Sequence, residues 1–307
     1  MRVLFVTIVV KTKQMKTIVW IVMAAFVTAA GISATQKATA PKMLSSECYV
    51  SCFTTDVTEQ FRINDVNAEF ASWHPTPKAF QLQNATGKMV QYQAADGTMA
   101  QAYEIKAAKK TNNYLLVIQE WWGLNDHIKA EAEKLAADLG NVNVLAIDMY
   151  DGRVAATPDS AMAYMRSTST ERLQIIVKAT LAYAGPKANI YTIGWCFGGM
   201  WSLQTALLAG SQAKGCVMYY GRPENNIEKL KQLNCDVIGF FGLKDRMPNV
   251  ETVQKFQADM AAAGKQLAVH NYDAGHGFSN PSNPNFNQDA TADAYAKTLA
   301  YLKSRLK

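Results

Sequence analysis

From Tyr114 to the end of the chain, short unbroken apolar runs alternate with stretches whose apolar positions recur every three or four residues. The runs "YLLVIQ", "VNVLAID", "NIYTIGW", "GCVMYYG", "CDVIGFFG" and "QLAVHNY" read as strands. Unbroken apolar character marks strands buried on both faces, as in a parallel sheet. Between them, Leu124, Ile128, Ala132, Leu135, Ala136 and Leu139 repeat at helical spacing over 125–139. Further helices are expected over 158–183, 198–209, 224–233, 249–263 and 288–303. Upstream, "GKMVQYQAADGTMAQAYEIKA" is two alternating runs about an Asp-Gly turn, hence a β-hairpin. Strands alternating with helices imply an α/β fold: a mostly parallel central sheet covered by helices on both faces, with the hairpin at its N-terminal side.

The pattern before the hairpin is different. Residues 1–34 carry Arg2, Lys11, Lys13 and Lys16 and no acid, then an apolar run from Ile18 to Gly31, then small residues. A basic start, apolar middle and small-residue exit form a secretory signal, with Met15 as an alternative start and cleavage expected after Ile32-Ser33-Ala34. The apolar run is short for a membrane span, so no stable insertion is expected after cleavage, and the mature protein is expected in the periplasm or outside the cell. Residues 35–84 read as a leader and a short helical extension. Asp56 and Glu59 resemble a capping box opening a helix to about Trp73, which "HPTPK" then breaks. Residues 85–307 are expected to form one α/β domain.

Composition alters this picture little. Half of the 307 residues are apolar (49%) and 18% are charged, as in an ordinary globular protein. Losing the four basic residues of the signal, with no acid, takes the formal net charge from +6 to +2, so the basic balance is not a nucleic-acid footprint. Cys48 and Cys52 are spaced to bridge in an oxidising compartment, and no second Cys or His pair with ligand spacing accompanies them, so no metal and no cofactor is expected. Cys216 and Cys235 lie in strand-like runs as small apolar residues.

The chemistry concentrates in four segments. "IGWCFGG" places Cys196 between Gly194 and Gly198, after a strand and before a helix. A tight strand-to-helix turn there lifts the central side chain above the sheet and needs small neighbours, and the helix N-terminus favours a thiolate and an oxyanion. The amide of Phe197 is the natural oxyanion donor. "GLKDRMP" and "DAGHGF" place Asp245 and His276 beyond the ends of two later strands, where catalytic groups gather in such sheets. His276 would accept the thiol proton and Asp245 would fix the imidazole. In "VIQEWWGLND", Glu120 follows the first long strand; the residues leave it as either a helix cap or a carboxylate holding the thiol, and the amide of Trp121 as a second oxyanion donor.

Together "QEWWGLND", "IGWCFGGMW", "GLKDRMP" and "DAGHGF", in this order, resemble the dienelactone hydrolase family over about residues 85–307. The resemblance implies an α/β-hydrolase fold and a Cys196–His276–Asp245 triad. It implies that Glu120 holds the resting thiol and releases it on substrate binding. The expected activity is cleavage of a small ester or lactone through a thioester on Cys196. Trp122, Tyr220 and Arg153 are expected to line the substrate site, Arg153 as a near match to one of the family's two carboxylate-binding arginines. At the position of the other stands Asn280. A monomer is expected, with a small molecule as its only partner. The alternative is a non-catalytic binding protein on the same scaffold.

Overall fold

The computed structural model describes residues 56–62 and 67–306. Eight strands form one sheet in the order β1-β2-β4-β3-β5-β6-β7-β8. They are β1 (Lys88–Gln93), β2 (Met99–Ile105), β3 (Asn113–Ile118), β4 (Asn143–Ile147), β5 (Asn189–Trp195), β6 (Ala213–Tyr219), β7 (Val237–Gly242) and β8 (Leu267–Tyr272). The hairpin β1–β2 forms as expected, and β2 adds to β4 antiparallel. From β4 through β3 to β8 every pairing is parallel. β3, β5, β6 and β7 are buried along nearly their whole length, which is why their sequences do not alternate.

The helices are α1 (Val57–Gln60), α2 (Ala68–Ser72), α3 (Asp126–Leu139), α4 (Pro158–Ser167), α5 (Thr170–Ala184), α6 (Phe197–Ala209), α7 (Ile227–Leu230), α8 (Val250–Ala262) and α9 (Gln288–Lys303). Three expected helices differ. The stretch 158–183 breaks at Thr168, which is extended, and Ser169 caps a new helix by accepting from the Arg172 amide. The stretch 224–233 helps itself to a single turn: the buried Glu224 carboxylate accepts from the amides of Asn225 and Asn226 and holds them out of the helix. Among the described residues of the segment to Trp73 there are two short helices, capped by Asp56 and Asn67. Glu59 does not complete a reciprocal capping box; its carboxylate bonds Arg62 and Thr170 instead.

This N-terminal extension is packed into the molecule. Val57, Phe61 and Phe70 are buried, and the Phe70 ring meets Phe61 and Trp121 edge-on at 5.5 and 5.2 Å. Further along, His127 Nε2 bonds the Lys78 carbonyl and the Leu82 amide donates to Asp126. The extension therefore crosses the carboxyl ends of the strands, against the loop that follows β3. The expected signal and the Cys48–Cys52 pair lie outside the described residues. Among the described residues no helix is long and apolar enough to cross a membrane.

Candidate active site

The turn between β5 and α6 is built by its glycines. A Cβ on Gly194 would meet the Gly198 carbonyl oxygen at 2.2 Å, and one on Gly198 would meet the Ile118 oxygen at 2.3 Å. Cys196 itself sits at φ 55°, left-handed backbone that costs energy for any residue but glycine and persists only where the surroundings enforce it. α6 begins directly after Cys196 with no side-chain cap. Cys196 is buried, and burial pushes its thiol up, with Glu120 adding to the rise; His276 and the Phe197 amide pull the other way.

Asp245, beyond β7, and His276, beyond β8, meet as expected: His276 Nδ1 lies 2.8 Å from Asp245 Oδ2. The other Asp245 oxygen accepts from the Met247 amide at 2.8 Å, which fixes the carboxylate. Burial alone would lower the His276 pKa, but the Asp245 carboxylate and, once it forms, the Cys196 thiolate overcome it and raise it well above the ordinary range, so a proton passed from the thiol is held on the imidazole. His276 Nε2 is buried with no hydrogen-bond partner among the described residues, aimed toward the sulfur.

The sulfur's hydrogen-bond neighbour is a different histidine. Cys196 Sγ lies 3.7 Å from His74 Nε2, across 122 residues of sequence. His74 comes from the end of the extension, where its ring lies tilted against Phe70 (4.2 Å between centroids) and meets His276 nearly edge-on at 5.0 Å. Its Nδ1 is 2.8 Å from the Phe70 carbonyl, so Nδ1 donates and Nε2 is left as the acceptor facing the thiol. Burial, and then the nearby His276 charge, push the His74 pKa down to about 3, which keeps the ring neutral. The "HPTPK" stretch reads from sequence only as a helix breaker; nothing local marks its histidine as part of the site.

Glu120 is correspondingly not the group that holds the thiol. Its Oε2 accepts from Asn280 Nδ2 at 2.7 Å, and the buried Tyr220 hydroxyl lies beside it. Asn280, at the expected arginine position, thus anchors the carboxylate. Burial raises the Glu120 pKa from 4.5 to about 7, with His276, Asn280 and Tyr220 opposing. The folded state therefore binds the Glu120 proton more tightly than the unfolded chain, and the stability this gives is full below pH 4.5 and is lost as pH rises through about 7. Glu120→Gln is expected to flatten that loss, so its stability relative to wild type grows between pH 4.5 and 7 by at most about 3 kcal/mol and then stays constant. Urea unfolding at intervals from pH 4.5 to 8 measures this; a constant difference across the range would contradict it.

Arg153 is a second correction. Its guanidinium bonds the Tyr150 carbonyl, Ser167 Oγ and Thr168 Oγ1 and stacks over Tyr164, so it ties the loop after β4 to the end of α4 and is not brought to the cluster. The cation that does reach the site is Arg222, after β6. It lines a cavity of about 10 Å³ with Cys196, Tyr220 and His276, and also a neighbouring cavity of about 330 Å³. Trp122 lines a further space of about 10 Å³ beside His74, Glu120 and His276. Trp121 is wholly buried, its ring 4.8 Å from that of His74.

Comparison with known proteins decides the family. The model of the "Dienelactone hydrolase family" matches residues 99–306. The chain belongs to the dienelactone hydrolase family. It is 30% identical over 203 residues to a carboxymethylenebutenolidase of Pseudomonas sp. (strain P51), covering 62% of this chain and 83% of that protein. It is 29% identical to the protein usf of Aquifex pyrophilus, covering 72% and 99%. Among solved structures, a dienelactone hydrolase-like promiscuous phosphotriesterase, P91, from metagenomic libraries superposes with TM-score 0.59 at 22% identity, covering 72% of this chain and 99% of that one. This dienelactone hydrolase family member is thus an ester or lactone hydrolase with an α/β-hydrolase fold. His74 and Phe70 lie upstream of the family match.

Proposed function

We propose that Cys196 is the nucleophile of this hydrolase, with His276 as general base and Asp245 as the group that orients it. The observation that carries the reading is the placement of Cys196 at φ 55° on the uncapped start of α6, with the Asp245-bound His276 beside it. In the resting state His74 holds the thiol. When substrate displaces His74, the sulfur turns to His276. The thiol proton passes to His276 Nε2 and the sulfur attacks the ester carbonyl carbon. The amides of Phe197 and Trp121 receive the oxyanion, each such donor contributing about 3 kcal/mol to barrier lowering. As the tetrahedral intermediate collapses, the C–O bond breaks and His276 gives its proton to the leaving oxygen. Water, deprotonated by His276, then attacks the thioester; the C–S bond breaks and the thiol is restored. The basic, apolar and small-residue pattern of residues 1–34 supports a periplasmic or extracellular setting for this chemistry.

The acyl-enzyme is directly observable. Acid quench of the protein mixed with p-nitrophenyl acetate is expected to give a mass increase of one acetyl group, mapped by peptide analysis to Cys196. Turnover without an adduct on Cys196 under burst conditions, or an adduct on another residue, would refute the thioester route. A binding protein on the same scaffold would give neither adduct nor turnover.

Arg222 supplies the substrate preference. Burial lowers its guanidinium pKa, and its Nη2 donates to Gln60 Oε1 at 3.4 Å, which holds the side chain at the rim of the site. It stands where the space at the nucleophile meets the larger cavity. The proposed substrates are accordingly small lactones or esters bearing a carboxylate. Arg222→Met is expected to raise KM for such substrates at least about tenfold, as loss of a charged hydrogen bond does, with p-nitrophenyl acetate unaffected. Equal effects on both substrates, or the selective effect appearing in Arg153→Ala instead, would overturn the assignment.

A further inference from the structure

We propose that His74, Cys196 and His276 form a site for a thiophilic transition-metal ion such as Zn²⁺, and that filling it switches the hydrolase off. Among the described residues, one nitrogen of each imidazole and the Cys196 sulfur lie within 4.8 Å of one another. All three side chains are buried. Each histidine has its second nitrogen already held: His74 Nδ1 by the Phe70 carbonyl and His276 Nδ1 by the Asp245 carboxylate, both at 2.8 Å. That arrangement fixes the tautomer and aims the remaining lone pair inward, as the outer partners of metal-bound histidines do. His276 Nε2 meets no other partner, and His74 Nε2 meets only the sulfur.

One thiolate and two neutral imidazoles form a donor set suited to Zn²⁺, which takes three protein ligands and leaves a fourth position for water. With Zn–S of about 2.3 Å and Zn–N of about 2.0 Å, tetrahedral ligand atoms stand about 3.5 Å apart, so the cluster needs to contract by about 1 Å at its widest. The spaces beside it hold about 10 Å³ each, room on the scale of a water molecule or an ion, whereas an ester requires the extension to open. Binding forms one S–Zn and two N–Zn bonds. The thiol proton leaves to solvent, as does any proton on the two bound nitrogens, and no group is oxidised or reduced. The metal then occupies both the lone pair of the nucleophile and the proton acceptor it needs. Because His74 comes from upstream of the family match, this is a site of the whole chain and not of the triad motif alone.

The test uses the full mature protein and needs no turnover. Zn²⁺ titration by calorimetry is expected to show one ion per chain with submicromolar Kd. Co²⁺ is expected to give the intense visible bands of tetrahedral coordination with a near-ultraviolet thiolate charge-transfer band. His74→Gln should weaken Zn²⁺ binding at least about 100-fold, and Cys196→Ser should abolish the charge-transfer band. His74→Cys supplies a replacement ligand and should retain tight tetrahedral binding, which decides the matter if His74→Gln is poorly folded. Inhibition of wild-type esterase activity by Zn²⁺ should reverse with EDTA. Absence of stoichiometric binding, or affinity unchanged in both His74→Gln and Cys196→Ser, would overturn the proposal. The thiol-hydrolase reading fails separately, on the acyl-adduct experiment, whatever the Co²⁺ spectrum shows.

Discussion

Cys196→Ala lowers kcat/KM for p-nitrophenyl acetate by at least about 10⁴-fold, leaving only what substrate binding and the oxyanion donors supply. The size follows from the placement of the sulfur. As the proposed nucleophile, it stands on the strained backbone of the β5–α6 turn, at φ 55°, beside the His276–Asp245 pair. No other described cysteine can replace it: Cys216 is buried beside Ser202, and Cys235 lies just before β7. The substitution removes one small group from a buried position, so circular dichroism and thermal unfolding should report an intact fold. Activity within about tenfold of wild type in the folded variant would move the nucleophile elsewhere.

Phe70→Ala speeds alkylation of Cys196 by iodoacetamide at least about 10²-fold. In the closed structure Cys196 is 4% exposed, and the spaces beside it hold about 10 Å³ each. The reagent, like any ester, therefore reaches the sulfur when the extension opens. Phe70 is the centre of the extension's packing: it meets Phe61, His74 and Trp121 and is 2% exposed. Truncating such a phenylalanine costs about 3–5 kcal/mol. Here the cost falls on a segment of two short helices, not on the sheet, so it appears as a raised open population instead of global unfolding. Each 1.4 kcal/mol is about tenfold in that population, which gives the expected acceleration. Mass mapping assigns the modified cysteine. An unchanged alkylation rate, with the variant folded, would mean that the sulfur is reached by a route the extension does not cover.

The extension supplies the hydrogen-bond neighbour of the buried Cys196 thiol. The sequence offers Glu120 for that task, because it follows β3 at the rim of the site. The structure turns Glu120 to Asn280 and gives the thiol to His74. A neutral imidazole is a milder partner than a carboxylate: it accepts the S–H hydrogen bond without placing a full negative charge beside a group that must become a thiolate. Arg153 shows the same kind of displacement. Its place after "VLAIDMY" suggests a substrate clamp, yet its donors are taken by Tyr150, Ser167 and Thr168.

Much was legible along the chain because the signals are local. Apolar runs of strand length separated by helical periodicity specify a parallel sheet, and the helices expected from 125 and 249 are capped by Asn125 and Asn249. The glycines around Cys196 encode a turn that only small residues allow, and the steric contacts at Gly194 and Gly198 are its physical cause. Asp245 and His276 follow consecutive strands, so parallel pairing of β7 with β8 is enough to bring them to one edge. The sequence by itself therefore determined the sheet, the elbow and the Asp245–His276 pair. Only the tertiary structure decided which histidine faces the sulfur and which arginine lines the space beside it. Those choices depend on the path of the extension across the sheet and on which donors are already satisfied, and contacts spanning 122 residues leave no periodic trace in the chain.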